Sequence, residues 1–320
     1  MSSLVSGISG KFTASFSKIA VDLSLAHSVH FLEKGPLKKG RDRAMQKPIG
    51  IIGGGNMGEA LITGITQSKL LSPEEIALSE PLRDRREVLQ KQFHVSTKAN
   101  NRELVSYAPT LILAVKPQVV SEVLAEISPQ VTLNHLLISI CAGVPLDYLQ
   151  SFFSQPIRII RAMPNTPALI QKGATALARS SSATMEDLAS AEAIFQAVGI
   201  TAIVHESQMD VVTGLSGSGP AYVLAAIEAL IAGAVKEGLP QGMALSLITQ
   251  TILGTAQLIQ DTEKHPAVLR DQVCTPGGTT MAGLYALEVG GFRSALMSAV
   301  IAATQKSKEL SNAFRKNKSL

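Results

Sequence analysis

The chain has no tryptophan, and aromatic residues make up only 4% of its 320 positions. Stacking platforms for single-stranded nucleic acid need more aromatic surface than that. Cysteine is as scarce, at two residues. Two thiols build neither a disulfide framework nor a zinc cluster, so a reducing compartment fits. The six histidines show no metal-ligand spacing, His27 and His30 fall close to the N-terminus, and acidic clusters that could hold a cation are missing. The expectation is that no metal is bound. Internal repeats are absent too, which sets aside solenoids and propellers.

The net charge of +4 is unevenly placed. Residues 1–47 hold 8 of the 29 Lys/Arg and 3 of the 25 Asp/Glu, a local balance of +5 that leaves −1 for the rest. The basic character therefore belongs to a tail and not to a binding face, which excludes nucleic acid as the expected partner. That tail is rich in Ser and Lys and lacks a signal-type apolar run. It reads either as a transit peptide or as an extension before a true start at Met45. The chain is expected in the cytoplasm, or in a plastid if the tail is a transit peptide. No segment reads as membrane-spanning. Gly238 to Gln260 is uncharged, but it contains Pro240, several Gln, Ser and Thr. It suits a helix buried inside an oligomer better than one in lipid.

What the sequence does have is apolar residues, 46% of the total, over a length that suits two domains. From Pro48 onward short apolar runs alternate with helical patterns. The runs predict strands at Pro48–Ile52, Ile76–Ser79, Thr110–Val115, Leu136–Ile140, Ile157–Arg161, Ala174–Ala178 and Thr201–Val204. Helices are expected at Met57–Leu70 and Met185–Val198. Continuous apolar runs are what a parallel sheet covered on both faces requires. The expected fold of residues 48–205 is therefore an α/β, Rossmann-like, doubly wound parallel sheet. Residues 206–320 change character. Helices are expected at Tyr222–Lys236, Gly242–Gln260, Pro266–Val273 and Thr279–Leu310, the last broken at Gly290-Gly291. This all-α region carries more apolar surface than a small monomer can bury, which predicts a subunit interface, two-fold by preference.

Gly53-Gly54-Gly55-Asn56-Met57-Gly58 follows the first strand and opens the first helix. In a G-x-G-x-x-G turn the first glycine permits the tight turn and the second the approach of a diphosphate. The third permits close helix–sheet packing. Glu80 lies 22 residues beyond Gly58, at the end of the second strand. An acid there accepts hydrogen bonds from a ribose, while Arg83, Arg85 and Arg86 just after it could meet a phosphate, so the choice between NADH and NADPH stays open. Two further strand ends carry Ala114-Val115-Lys116-Pro117 and Cys141-Ala142. Cys141 reads as a small buried residue, since no His neighbours it.

Met163-Pro164-Asn165-Thr166-Pro167 is a rigid loop presenting two polar side chains. Thr213 to Ala221 is rich in small residues, lacks the Lys-Ser/Thr of a phosphate loop, and suits close helix packing. Thr275-Pro276-Gly277-Gly278-Thr279-Thr280 precedes the last long helix. It is either an anion nest for a carboxylate or ordinary helix punctuation with a threonine cap.

In combination these segments resemble the pyrroline-5-carboxylate reductase family. The likeness runs from about residue 48 to 312 and is most specific around Thr275–Thr280. It implies a Rossmann domain joined to a dimerising helical domain, a homodimer or higher homo-oligomer, NADPH or NADH as cofactor, and a small cyclic imine as substrate. On the cofactor side it implies Ile52, Gly53, Gly54, Gly55, Asn56, Met57, Gly58, Glu80, Asn101, Ala114, Val115, Lys116, Pro117, Ala142 and Asn165. On the substrate side it implies Glu206, Thr275, Gly278, Thr279 and Thr280, with Thr280 as the group acting in the reaction. Relatives often carry Ser or Asn near Glu80, so the acid here departs from an NADP-binding pattern. Two other readings fit the sequence less well. A β-hydroxyacid dehydrogenase would need a Lys with an Asn four residues on, whereas Lys236 is followed at that spacing by Pro240. A non-catalytic dinucleotide-binding regulator could dispense with the segment around Thr275–Thr280.

Overall fold

A computed structural model describes residues 48–317; the tail of residues 1–47 and its two readings lie outside the described residues. Eight strands form one sheet: β1 Ile49–Ile52, β2 Ile76–Ser79, β3 Ser96–Lys98, β4 Thr110–Leu113, β5 Leu136–Ser139, β6 Arg158–Met163, β7 Gly173–Arg179 and β8 Gly199–Ile203. Their order across the sheet is β3-β2-β1-β4-β5-β6-β7-β8. The first six are mutually parallel, with β1 central and in register with β2 at Ile49–Ile76 and with β4 at Ile49–Thr110. That is the doubly wound order, and it puts a switch point at the carboxyl ends of β1 and β4.

The expectation of a wholly parallel sheet needs one correction: β7 runs antiparallel to β6. The reason is the link between them, residues 164–172, whose only regular piece is a single-turn helix at Thr166–Ile170. A parallel return needs a crossover of a dozen residues or more. The next link contains the helix α6, Met185–Gln196, and β8 returns parallel to β7.

Helices cover both faces. On one, α1 (Asn56–Gln67) and α6 place Leu61, Ile62, Ile65, Ile194 and Phe195 against Ile51, Leu78, Ile138 and Ile160. On the other, α3 (Asn101–Tyr107), α4 (Val120–Ile127) and α5 (Leu146–Gln150) place Leu104, Leu124 and Leu149 against Ile52, Leu111, Leu137 and Ile159. Successive strand residues thus enter opposite cores, which is why the runs carry no polar alternation. Between β2 and β3 lies α2, Arg83–Phe93, which buries only Leu89.

Beyond Ile203 the described residues contain helices alone: the turn α7 (Met209–Val212), a π turn at Thr213–Gly217, then α8 (Gly219–Lys236), α9 (Gln241–Thr262), α10 (Pro266–Val273), α11 (Thr279–Val289) and α12 (Phe292–Asn317). The small-residue stretch has the expected packing role. A Cβ on Gly214 would strike Thr304 Oγ1 and come within 2.8 Å of Val300 O on α12, and one on Gly217 would come within 2.6 Å of Met163. By length and composition, Glu206–Lys236 and α9 are apolar enough to cross a membrane. The Ser and Thr of α9 add little polarity because Ser246, Thr251, Thr255 and Thr262 each donate to the carbonyl four residues back.

Candidate active site

The glycine turn closes on itself through backbone. Gly53 has φ +110°, donates its N–H to Ser79 O at 2.8 Å, and a Cβ there would come within 2.7 Å of Ala114 O. A Cβ on Gly58 would come within 2.5 Å of Gly53 O, so helix and strand approach as closely as glycine allows. Gly55 is different: nothing lies within 4 Å of a Cβ built on it, and as the N-cap of α1 it provides no side-chain acceptor. The first N–H groups of α1 therefore face open space beside exposed Asn56. This cradle fits a dinucleotide's diphosphate: donors, a helix N-terminus and room at the one glycine where room is needed.

Ala114 donates its N–H to Ile52 O at 2.8 Å, which sets the end of β4 beside the end of β1. Val115 is half-buried there, and Lys116 is exposed at the head of the short turn Pro117–Val119. Ala142 follows β5 in the same row of strand ends. Cys141 is buried and donates to Val115 O at 3.3 Å. Burial pushes its thiol up to about 11, against the weaker pull of Ser139 and Val115, so it is a neutral packing group.

Other expected site residues already have partners. Asn101 Nδ2 donates to Glu126 Oε2 at 2.6 Å, and its Oδ1 accepts from Ser79 Oγ at 2.6 Å. Asn165 Oδ1 accepts from Ala174 N–H at 2.8 Å, and its Nδ2 donates to Ser216 O at 3.2 Å. Asn165 therefore ties the β6–β7 link to the π turn. Glu206 accepts from Leu146 N–H at 2.6 Å and from Arg161 Nη1 at 3.4 Å. Both bonds fall on Oε1 of a side chain that is 25% exposed.

Arg161 belongs to a network that sequence reasoning missed. It is 5% exposed, and its Nη2 lies 3.9 Å from Asp210 Oδ1. That oxygen also accepts from Ser307 Oγ at 2.7 Å and Ser311 Oγ at 3.1 Å, both on α12. Burial pulls the guanidinium below its ordinary value, and Glu206 and Asp210 push it back. Arg315 adds a pair to Asp147 at 2.9 Å, and Phe314 lies against Tyr148. The end of α12 is thereby bound to the dinucleotide-type half. The visible signal is the second of two arginines in the run at 157–161, the one that closes it.

The second expected surface is the start of α11. Gly277 has φ +70°, and Gly278 donates to Thr275 O at 3.0 Å. A Cβ on Gly278 would strike Thr275 Oγ1. The cap of α11 is Gly278 and not a threonine, and no side chain bonds there. Met281 and Ala282 return their N–H groups to Gly278 O at 3.1 and 3.3 Å. The N–H groups of Thr279 and Thr280, first in the helix, are left without a side-chain cap. Among the described residues no three His, Cys, Asp or Glu gather as a metal would need.

Comparison with known proteins finds matches in two stretches of the chain. Residues 206–310 fit the family described as pyrroline-5-carboxylate reductase dimerisation, and residues 48–143 the family described as NADP oxidoreductase coenzyme F420-dependent. A pyrroline-5-carboxylate reductase of Synechocystis sp. is 49% identical over 266 residues, 83% of this chain and 99% of that protein. One from Arabidopsis thaliana is 43% identical over 263 residues, 82% of this chain and 95% of its own. The crystal structure of Plasmodium falciparum pyrroline carboxylate reductase with NADP bound matches at a TM-score of 0.76 and 33% identity, over 83% of this chain and 98% of that one. A dinucleotide cradle, a helical half of dimerisation type and identity at this level over nearly the whole length of these relatives place the chain in the pyrroline-5-carboxylate reductase family.

Proposed function

We propose that this chain reduces 1-pyrroline-5-carboxylate to L-proline with NADPH or NADH, as a homodimer or larger homo-oligomer. The observation that carries the substrate assignment is the uncapped start of α11, where two backbone N–H groups and the hydroxyls of Thr279 and Thr280 stand ready for a carboxylate. When bound, the nicotinamide supplies hydride to the imine carbon. The imine nitrogen takes a proton, and since that nitrogen is basic enough to draw it from water, no strong enzymic acid is required. That suits a site whose buried thiol is held neutral and whose Glu206 is paired with Arg161.

The chain's own contribution is orientation. Gly53 to Gly58 hold the diphosphate, Ala114 to Pro117 and Ala142 border the ring, and Thr275 with Gly278 shapes the turn that aims Thr279 and Thr280. Thr280 bonds the substrate and relays the proton. Asn101, Asn165 and Glu206 act through the frame, by the bonds described above. The dimer is supported by α8 and α11, none of whose residues is buried in the single chain. Two copies would cover these faces and bring the α11 turn to a dinucleotide cradle. Both cysteines are free, which suits the cytoplasm, or a plastid should residues 1–47 direct it there.

The test is absorbance at the nicotinamide band with pyrroline-5-carboxylate and each dinucleotide in turn. Oxidation that depends on the imine is expected. Dinucleotide binding with no imine-dependent oxidation would end this reading in favour of a non-catalytic binder.

A further inference from the structure

The carboxylate of Glu80 rests directly on the glycine turn. Its Oε2 accepts from Gly54 N–H at 3.0 Å, and its Oε1 accepts from Leu82 N–H at 3.1 Å. A Cβ on Gly54 would come within 3.0 Å of that same Oε2, so nothing fits between the two. Among the described residues no basic side chain forms an ion pair with Glu80. Two backbone dipoles fix it, and its negative charge is not cancelled.

Three arginines surround it, and each is turned elsewhere. Arg85 donates to Gly54 O at 2.9 Å and to Glu59 at 2.6 Å. Arg86 Nη1 donates to the carbonyls of Glu80 and Pro81 at 2.7 and 2.8 Å. Arg83 is exposed and pairs with Glu87 at 2.8 Å.

An acid at the end of the second strand of a dinucleotide-binding βαβ unit meets the adenosine ribose. A 2′-hydroxyl donates to such a carboxylate. A 2′-phosphate is mostly doubly ionised near neutral pH and brings like charge against it. We infer that Glu80 makes this chain select NADH over NADPH, and that it does so by its charge. This rests on the reading that the cradle binds a nicotinamide dinucleotide. Because Arg83 and Arg86 already stand beside the position, removing the charge alone should admit the phosphate, with no new basic residue.

Titration of the full-length protein with NADH and with NADPH, followed by nicotinamide fluorescence, gives the two dissociation constants without turnover. The wild-type chain should bind NADH about tenfold more tightly, the change that ~1.4 kcal/mol makes. Glu80→Gln keeps an oxygen for Gly54 and removes the charge, and it should erase or reverse that ratio. Equal affinities, or tighter NADPH, in the wild type would overturn the inference whether or not the variant folds. So would a ratio that Glu80→Gln leaves unchanged. Discrimination without imine reduction would uphold Glu80 as the selector and reject the proposed reaction. If neither dinucleotide binds, both fall.

Discussion

The two halves of the chain use apolar residues differently. Every residue of β1, β2 and β5 is buried, whereas α8 and α11 bury none. Leu224, Leu230, Leu247 and Leu253 are each half or more exposed, on helices that pack mainly as the α8–α9 pair. The sheet completes its core within one chain. The helices present a core cut open, the composition of an obligate interface. The two proposed binding surfaces share one trait, since each has a glycine with nothing within 4 Å of its Cβ, Gly55 in the glycine turn and Gly277 before α11.

The most severe way to break this contrast is to charge the open face. Leu247→Lys with Leu253→Lys should yield a monomer by light scattering and lower reductase activity about 100-fold or more, equivalent to ~2.7 kcal/mol in the barrier. A fully active monomer would show that the open face is not a core. Next comes the joint between the halves. Asp210→Ala leaves Arg161 buried with Glu206 alone and α12 without its serine acceptor, and should cost about 3 kcal/mol in urea unfolding. Thr280→Ala should lower kcat about tenfold, near ~1.4 kcal/mol, with dinucleotide affinity unchanged. A shift in affinity without loss of turnover would move Thr280 to the cofactor side.

The smallest effect concerns the closed half. Burial raises Cys141 from 9.0 to about 11. The folded state favours the neutral thiol, so this stabilisation is present below pH 9 and is lost as the pH rises through 11. At pH 8 iodoacetamide should label Cys141 in the unfolded chain and leave it untouched in the folded one, as read by mass spectrometry.

What could be read from the sequence follows the same division. The runs at β1, β2, β4 and β5 were plain because both faces are buried and no polar residue interrupts them. β3 left no such trace: Ser96–Lys98 is three half-buried polar residues at the sheet edge. The direction of β7 is not written in Gly173–Arg179 at all; it follows from the length of the link before it. The helix α10 was placed to the residue by Pro266 and the break after Val273, while α2, with a single buried leucine, carried almost no apolar period. In the site, the glycine spacing showed the diphosphate cradle. The partners of Asn101, Asn165 and Glu206 lie 9 to 60 positions away and have no local signature. The α11 cap shows a further limit, since the sequence suggests a threonine there and the backbone path gives the place to Gly278.

The π turn at Thr213–Gly217 has an effect beyond its own five residues. A π turn accommodates one residue more than an α turn, and one residue is worth about 100° of rotation. The extra residue therefore sets the phase of α8, and with it which side chains Tyr222 and its followers turn toward a second subunit. Tyr222 hydroxyl, donating to Gly214 O at 3.2 Å, latches that phase from the helix side. The angular setting of α8 is thus established by a single inserted position that precedes the helix.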